Sequence, residues 1–235
     1  MEERTTARLD ARVVVVGAGL SGLTAGRELV GSGVETIVLE AKDRVGGRTL
    51  NQRLPGGAAV EGGGEWVYPY HHKVARLAEE LGIETFKQFD EGESVSLFCG
   101  ERRRYKGTGR GLDESALAFR QIWSRLEEMC AGLDPAEPWA HAEADRLDAQ
   151  TLGGWLDGEL RDPGARQVFD LSFGLQFAAP LDRVSLLFAL TYVAGFGGKG
   201  ENVLPADRFR LAGGSQVLSL RLAEQLGSRL LLGTA

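Results

Sequence analysis

The sequence predicts an α/β protein in which a domain built on a parallel sheet is interrupted by a mostly helical second domain. A run of β-branched residues, Arg12–Val16, ends in a glycine-rich turn and is followed by helical spacing. From Asp113 to Ala194 the spacing is mostly helical, and strand character returns at Phe209–Leu211. We therefore assign residues 1–75 and 208–235 to the first domain and residues 76–207 to the inserted one.

The N-terminal elements predict one βαβ unit. Arg12–Val16 is typical of a strand that is buried on both faces, as in parallel sheets. Leu20–Val30 has helical spacing, and glycines at positions 31 and 33 suit its C-terminal end. Glu35–Leu39 alternates and is rich in β-branched residues, which predicts a second parallel strand ending at Glu40.

The later elements follow from the same rules. His72–Leu81 is predicted as a helix, and Val95–Cys99 with Arg103–Lys106 as a hairpin. Asp162 and Pro163 fit an N-cap and a first helical position. Helices of the inserted domain are predicted at Asp113–Cys130, Thr151–Leu160, Asp162–Phe173 and Val184–Ala194. The chain then predicts a strand at Phe209–Leu211, a helix from an N-cap at Ser215 to Leu226, and a strand at Arg229–Leu232.

Composition narrows the class of protein. The 235 residues carry a net charge of −6, which gives no electrostatic reason to expect nucleic acid or an anionic membrane as partner. No apolar run approaches the roughly 18 residues that span a bilayer, and the short apolar run at Val13–Val16 is not expected to act as a signal peptide. Cys99 and Cys130 form no metal-ligand or CxxC pattern, so no metal is expected. These features predict a cytoplasmic protein with unpaired thiols.

A glycine motif at the first strand–helix junction predicts a dinucleotide site. The motif G-x-G-x-x-G comprises Gly17, Ala18, Gly19, Leu20, Ser21 and Gly22. Its glycines permit the tight turn, the approach of a diphosphate and close packing of helix on strand. Glu40 lies at the roughly 20-residue offset of the acid that binds ribose hydroxyls. The alternatives are a purely structural turn and a solvated carboxylate at the strand end.

The next glycine pair favours FAD over NAD as the ligand. Gly46 and Gly47 are flanked by Arg44 and Arg48, a feature that a nicotinamide site does not need. An FAD site can use it, because the longer ligand continues toward its isoalloxazine ring. Arg48 would place a fixed positive charge near the diphosphate. A basic surface loop and an NAD-dependent dehydrogenase are the alternatives at this point.

At these residues the chain resembles the flavin-dependent amine oxidase family, and monoamine oxidases most closely. Val60–Val67 is similar to the family segment that runs beside the flavin ring, and Val74–Phe86 to the family's next helix and the Leu-Gly segment after it. Val184–Gly198 resembles a helix of the substrate domain, and Gly213–Gln216 the return to the FAD domain. The similarity extends from about Arg12 to Ala235. Motif and resemblance together give these cofactor-binding residues: Gly17, Ala18, Gly19, Leu20, Ser21, Gly22, Glu40, Ala41, Lys42, Gly47, Arg48, Gly63, Gly64, Glu65 and Trp66.

The resemblance implies oxidation of a small-molecule amine to an imine, with oxygen as acceptor and hydrogen peroxide as product. By position, Leu175 and Gln176 would face the substrate cavity, although a place in the helix core is the plainer interpretation. Asp207 falls near a polar pocket position of the family and would favour a second amine on the substrate. Outside the resemblance, His71 and His72 are expected at the surface or at a helix cap. The tryptophans expected in the core are Trp123, Trp139 and Trp155.

The resemblance also implies that the family's catalytic groups, including a lysine near flavin N5, lie in sequence that follows Gly213-Gly214 in its members. No catalytic residue is therefore assigned in this chain. One expectation is that a second polypeptide completes the enzyme, and another is that the chain is an inactive truncated product. A third is a non-catalytic FAD-binding module that assembles with a partner protein.

Overall fold

The computed structural model describes residues 10–57, 59–98, 100–106, 115–203 and 208–234. The chain divides into two compact units. Unit 1 comprises Met1–Gln88 and Asp207–Ala235, and unit 2 comprises Phe89–Ala206. In chain order the elements are β1 (Val13–Val16), α1 (Leu20–Gly31), β2 (Thr36–Leu39), β3 (Asn51–Arg53), β4 (Ala59–Glu61), α2 (His72–Glu80), β5 (Thr85–Lys87), β6 (Ser94–Phe98), β7 (Glu101–Tyr105), α3 (Ala116–Met129), α4 (Ala144–Asp148), α5 (Leu152–Glu159), α6 (Pro163–Phe177), α7 (Leu186–Gly195), α8 (Gly200–Val203), β8 (Phe209–Leu211), α9 (Gln216–Leu226) and β9 (Leu230–Leu231).

A parallel sheet in the order β1-β2-β9 forms the centre of unit 1. Val13 pairs with Thr36, and Val38 pairs with Leu230, so the last described strand lies beside the second. Helices α1 and α9 pack on this sheet through an apolar cluster that includes Leu23, Val38 and Leu226. The predicted βαβ unit and the predicted last strand are therefore confirmed as parallel neighbours.

Burial of β1 on both faces is not observed. Val13 and Val15 are half-buried on the side of the helices, whereas Val14 is 52 % exposed and Val16 is 86 % exposed. Side chains alternate across a strand, and among the described residues α1 and α9 cover only one face. A run of four valines cannot distinguish one covered face from two, because β-branched residues favour strands in either setting.

The helix α2 belongs wholly to unit 1, whereas the predicted boundary after residue 75 falls inside it. Its buried Ala78 lies in an apolar cluster with Val67, Leu211 and Leu218. The strand β5 then pairs antiparallel with β8, Thr85 opposite Leu211. Because of these contacts, the first segment of unit 1 extends to Gln88, and unit 2 begins at Phe89.

Unit 2 is a helical unit with an antiparallel hairpin, β6 and β7, as predicted. Its core is lined by an aromatic ladder in which Trp123 contacts Phe169 and Phe173 at ring-centroid distances of 5.9 and 5.5 Å. Trp123 and Trp155 are buried, which confirms their predicted place in the core. Trp139 is 70 % exposed, so its predicted place there is wrong. It lies in a short 3-10 turn, Pro138–Ala140, that contains no buried residue.

The helix α7 is apolar over most of its length and supplies Leu186, Leu190 and Val193 to this core. Nearby, Cys130 is a buried free thiol whose Sγ donates to the Leu190 carbonyl oxygen at 3.4 Å. Burial raises the pKa of this thiol to about 11. Cys99 lies outside the described residues. Across the residues that the structure describes, no helix is both long enough and apolar enough to cross a membrane.

The predicted cap of α6 is confirmed. The Asp162 carboxylate accepts a hydrogen bond from the Ala165 N–H at 2.7 Å, and Pro163 is the first helical residue. This bond, followed by one from the Ser115 side chain, lowers the pKa of Asp162. Because α6 carries the fully buried Phe169 and Phe173, fraying of its first turn disturbs the centre of unit 2.

Substitution of Asp162 by alanine should lower the free energy of unfolding by about 1 kcal/mol, the usual value of a lost N-cap. Urea unfolding followed by circular dichroism measures the change. Asp162→Asn is the matched control, because an asparagine oxygen can still accept from the Ala165 N–H. Equal stability of Asp162→Ala and the wild type would show that the cap contributes nothing.

Candidate functional site

The first glycine motif forms a tight turn between β1 and α1. Gly17 has φ = +98°, a left-handed conformation that favours glycine. A Cβ atom at Gly22 would lie 2.0 Å from the Gly17 carbonyl oxygen, so only glycine fits there without a shift of backbone. Helix α1 begins at Leu20 with no side-chain cap and no acidic residue in its first turn. The positive end of its dipole is thus left for an anion.

The second glycine pair crosses the first motif in close contact. The Gly46 N–H donates to the Ala18 carbonyl oxygen at 2.9 Å. A Cβ atom at Gly47 would lie 3.2 Å from the Gly19 Cα, closer than ordinary side chains approach. The two motifs therefore form one continuous backbone surface. In the sequence they are separate, since Gly46 lies 24 positions after Gly22.

Glu40 lies at the carboxyl end of β2, beside the first turn. Its carboxylate accepts from the Lys42 N–H at 2.9 Å and from the Ala18 N–H at 2.7 Å. These two bonds lower the pKa of Glu40, that from Lys42 most, and keep the group ionised at neutral pH. The carboxylate is fixed next to the Gly17–Gly19 turn, and Ala41 and Lys42 are exposed beside it.

The two arginines of the second motif differ in role. Arg44 braces its own loop: its guanidinium donates to the carbonyl oxygens of Gly47, Val45 and Thr49 at 3.1, 3.3 and 3.4 Å. Arg48 is exposed on the same loop. Sequence reasoning assigned a role to Arg48 only, and the bracing role of Arg44 is seen only in the structure.

The Gly63-Gly64 segment lies against the Arg48–Leu50 backbone. The Gly64 N–H donates to the Arg48 carbonyl oxygen at 3.1 Å, and the Gly62 N–H donates to that of Leu50 at 2.7 Å. A Cβ atom at Gly63 would lie 2.1 Å from the Arg48 oxygen, so this approach also requires glycine. Ser215 Oγ donates to the Gly64 carbonyl oxygen. Ser215 precedes α9 as predicted, but its side chain makes this bond instead of capping the helix.

Glu65 and Trp66 contact two arginines of the β8 region. The Arg210 Nη2 lies 3.3 Å from Glu65 Oε2. The guanidinium carbons of Arg208 and Arg210 lie 5.3 and 5.6 Å from the centre of the Trp66 ring, a cation–π distance. The structure thus joins residues that are more than 140 positions apart in sequence.

A second set of contacts, which the sequence did not suggest, holds the N-terminal loops to the start of α9. The Asn51 N–H donates to Gln216 Oε1 at 2.8 Å, and Gln216 Nε2 donates to the Val45 carbonyl oxygen at 2.8 Å. Asn51 Nδ2 donates to the Gly213 carbonyl oxygen at 2.6 Å. In the sequence, the Gly213-Gly214 pair is the one feature that could have indicated a close contact here. The structure gives the reason for it, because a Cβ atom at Gly214 would lie 2.5 Å from Asn51 Oδ1.

These features of unit 1 fit the adenosine diphosphate part of FAD. Gly22, Gly47 and Gly63 let backbone segments pack where a Cβ atom would collide with them, whereas nothing lies within 4 Å of the Cβ position of Gly17, so the turn itself is open to a ligand. An uncapped helix N-terminus suits a diphosphate, and an ionised carboxylate suits ribose hydroxyls. Among the described residues no group of three or more histidine, cysteine, aspartate or glutamate side chains could hold a metal ion.

The pocket residues predicted in unit 2 lie on its surface. Leu175 is 75 % exposed and Gln176 is also exposed, so neither is a core residue of this unit. Tyr192 Oη donates to Gln176 Oε1 at 3.2 Å, which orients the carboxamide. Asp207 lies outside the described residues. His71, in unit 1, precedes α2 and is half-buried, and this burial lowers its pKa.

Known proteins match the chain over nearly its whole length. A putrescine oxidase of Kocuria rosea is 36 % identical over 225 residues, which cover 93 % of this chain and 47 % of that protein. Human flavin-containing amine oxidase B is 32 % identical, covering 94 % of this chain and 43 % of that protein. A structure of putrescine oxidase bound to putrescine has a TM-score of 0.87 at 34 % identity, covering 96 % of this chain and 51 % of that one.

The chain spans about half the length of the curated relatives that it matches. These relatives carry the matched region within a single protein about twice as long, so they give no support to the predicted second polypeptide. The family model for flavin-containing amine oxidoreductases matches residues 20–235. The α/β fold and the expected flavin agree with this match and with the identity to the relatives. The chain belongs to the flavin-containing amine oxidoreductase family.

Proposed function

We propose that this chain forms the FAD-binding unit and part of the substrate unit of an FAD-dependent amine oxidase. The observation that carries the proposal is the junction in unit 1 where Glu40, the Gly17–Gly22 turn and the Gly46-Gly47 loop meet. This junction gives the Rossmann-like βαβ unit both an anion cradle and a fixed carboxylate. An NAD-dependent dehydrogenase is disfavoured, because the second glycine pair packs on the first and extends the site beyond one dinucleotide turn.

Each part of the junction has a separate task in holding FAD. Glu40 would accept hydrogen bonds from the ribose, and the N-terminus of α1 would hold the diphosphate. Arg48 would add a positive charge beside the diphosphate, since it is exposed on the loop that crosses Gly19. Gly63, Gly64, Glu65 and Trp66 would line the path toward the isoalloxazine ring.

Bound FAD would supply the redox chemistry, namely acceptance of a hydride equivalent from the carbon next to an amine and return of the electrons to oxygen as hydrogen peroxide. The chain's own residues bind and orient. Exposed apolar groups of unit 2, Leu171 and Leu175, lie four residues apart on α6 and would exclude water from an amine. The oriented Gln176 carboxamide would bind a polar group of the substrate. Asp207 remains a proposed site for a second amine.

Purification from the source organism tests the function, with absorbance spectroscopy under anaerobic conditions as the measurement. We expect a yellow protein whose visible flavin absorbance is bleached by an amine, with putrescine, benzylamine and cyclohexylamine as the first candidates, and restored by air with release of hydrogen peroxide. A yellow protein that no amine reduces would favour a non-catalytic FAD-binding module. A colourless protein that does not take up FAD would contradict the proposal.

A further inference from the structure

Glu61 is a buried carboxylate at the place where three distant segments of unit 1 meet. Its side chain is only 4 % exposed. Glu61 Oε2 accepts from Arg210 Nε at 3.0 Å and from Arg210 Nη2, and Glu61 Oε1 accepts from the Ser215 N–H at 2.5 Å. Both oxygens are therefore occupied, as a buried charge requires. The contacts join the end of β4 to β8 and to the start of α9.

Arg210 extends this pair to the Trp66 side chain. Its guanidinium lies 3.3 Å from Glu65 and 5.6 Å from the centre of the Trp66 ring, in addition to its bonds with Glu61. The hydrogen bonds with Glu61 raise the pKa of Arg210, which is thus a permanent cation. A planar guanidinium held by two bonds to one oxygen has a fixed orientation, and the Trp66 ring lies against it.

The backbone between Glu61 and Trp66 is tethered on the other side. The bonds from Gly62 and Gly64 to Leu50 and Arg48, with Ser215 Oγ on the Gly64 oxygen, hold it from both directions. The Trp66 ring is the part of this segment that reaches beyond the backbone tethers. These backbone bonds do not set its orientation, and the guanidinium groups of Arg208 and Arg210 lie over the ring.

We propose that Glu61 and Arg210 form a positioning pair, which holds the Trp66 ring in place for the isoalloxazine end of the FAD site. The inference rests on the proposed function, because Trp66 belongs to the segment expected beside the flavin. The chain contains a contrasting surface pair, Arg221 with Glu224 at 3.0 Å, whose side chains are 55 % and 63 % exposed. An exposed pair of that kind contributes little to structure, whereas Glu61 is buried and joins segments 149 residues apart.

The first test concerns Trp66 without any cofactor. The near-ultraviolet circular dichroism signal of Trp66 is obtained by subtraction. For the wild type and for each arginine variant, the spectrum of the same protein with the additional change Trp66→Phe is subtracted. Arg210→Met should reduce this difference by roughly half or more through loss of the cation–π contact, and Arg208→Met should leave most of it, because Arg208 is exposed and Arg210 is bonded to Glu61. Equal losses in both variants, or no loss in Arg210→Met, would overturn the proposal. If Arg210→Met does not fold, Glu61→Gln replaces it.

The second test compares the affinities for FAD and ADP in the apoprotein by calorimetric titration. Glu61→Gln should weaken FAD by about tenfold and ADP by less than about twofold, because ADP does not extend to the isoalloxazine end. Parallel losses for both ligands would mean a general loss of structure and would overturn the positioning role. Glu224→Gln is the control and should change neither affinity. The wild type could bind no FAD while the circular dichroism signal of Trp66 still depends on Arg210. That result would contradict the proposed function and would leave the positioning of Trp66 by Glu61 and Arg210 supported.

Discussion

Replacing Gly22 with alanine is expected to lower FAD affinity by about 100-fold, equivalent to about 2.8 kcal/mol. The reason is steric: the new Cβ atom would lie 2.0 Å from the Gly17 carbonyl oxygen and 3.2 Å from its carbonyl carbon. Both atoms are backbone, so relief requires that α1 move away from the turn. The N-terminus of the helix and the Gly17–Gly19 turn then no longer face the diphosphate together. Titration of FAD into the apoprotein measures the loss.

The same helix provides the matched control. Gly31 ends α1, and no atom lies within 4 Å of the Cβ position there. Gly31→Ala should leave FAD affinity unchanged and raise the free energy of unfolding by up to about 1 kcal/mol, because alanine is the better helix former. Gly22→Ala should lower it by about 2–3 kcal/mol through overpacking. FAD binding of wild-type strength in Gly22→Ala would exclude the proposed cradle.

Substitution of Glu40 by glutamine should weaken FAD by about tenfold, or 1.4 kcal/mol. The carboxylate accepts from two backbone N–H groups, those of Ala18 and Lys42, and it would accept from the ribose as well. A glutamine amide offers one oxygen, so its NH₂ group must face a donor. Asp43→Asn, three residues further on and exposed, removes the same charge without this contact. An equal loss in Asp43→Asn would show that net charge alone is responsible.

The effect of this substitution on stability should depend on pH. The pKa of Glu40 in the folded protein lies below its ordinary value of 4.5. A group with a depressed folded-state pKa stabilises the protein fully above its unfolded pKa and loses that contribution as pH falls through the folded pKa. Glutamine does not titrate. The stability difference between wild type and Glu40→Gln, measured by urea unfolding, should be constant above about pH 5 and shrink below pH 4.5. A difference that grows on acidification would contradict this assignment.

The elements with strong local signals were predictable from sequence. Spacing and caps located α1, α2, α5 and α6, with the Thr151 and Asp162 side chains as observed caps. The short strands β3, β4 and β5, of three residues each, were missed. Most of their residues are exposed, and they carry no run of alternating apolar residues. They are extended because they pair with a partner strand, which a local pattern does not contain.

The site shows the same division. The glycine motifs and Glu40 were identified, because their roles follow from backbone geometry at fixed spacing. Arg210, Asn51 and Gln216 were not, since each acts through a partner about 150 or more residues away. A lone arginine in a strand is ordinary as a sequence feature. Only the fold places Arg210 against a buried glutamate.

The pairing of β2 with β9 has a consequence for synthesis on the ribosome. Val38 cannot form its strand pairing until Leu230 has been translated, 192 residues later. Unit 2 lies entirely between them and is one contiguous stretch, Phe89–Ala206. Domains fold as units in the order in which they emerge. Unit 2 can therefore fold before β9 is made, and until then the edge of β2 that pairs with β9 stays exposed to pairing with neighbouring chains.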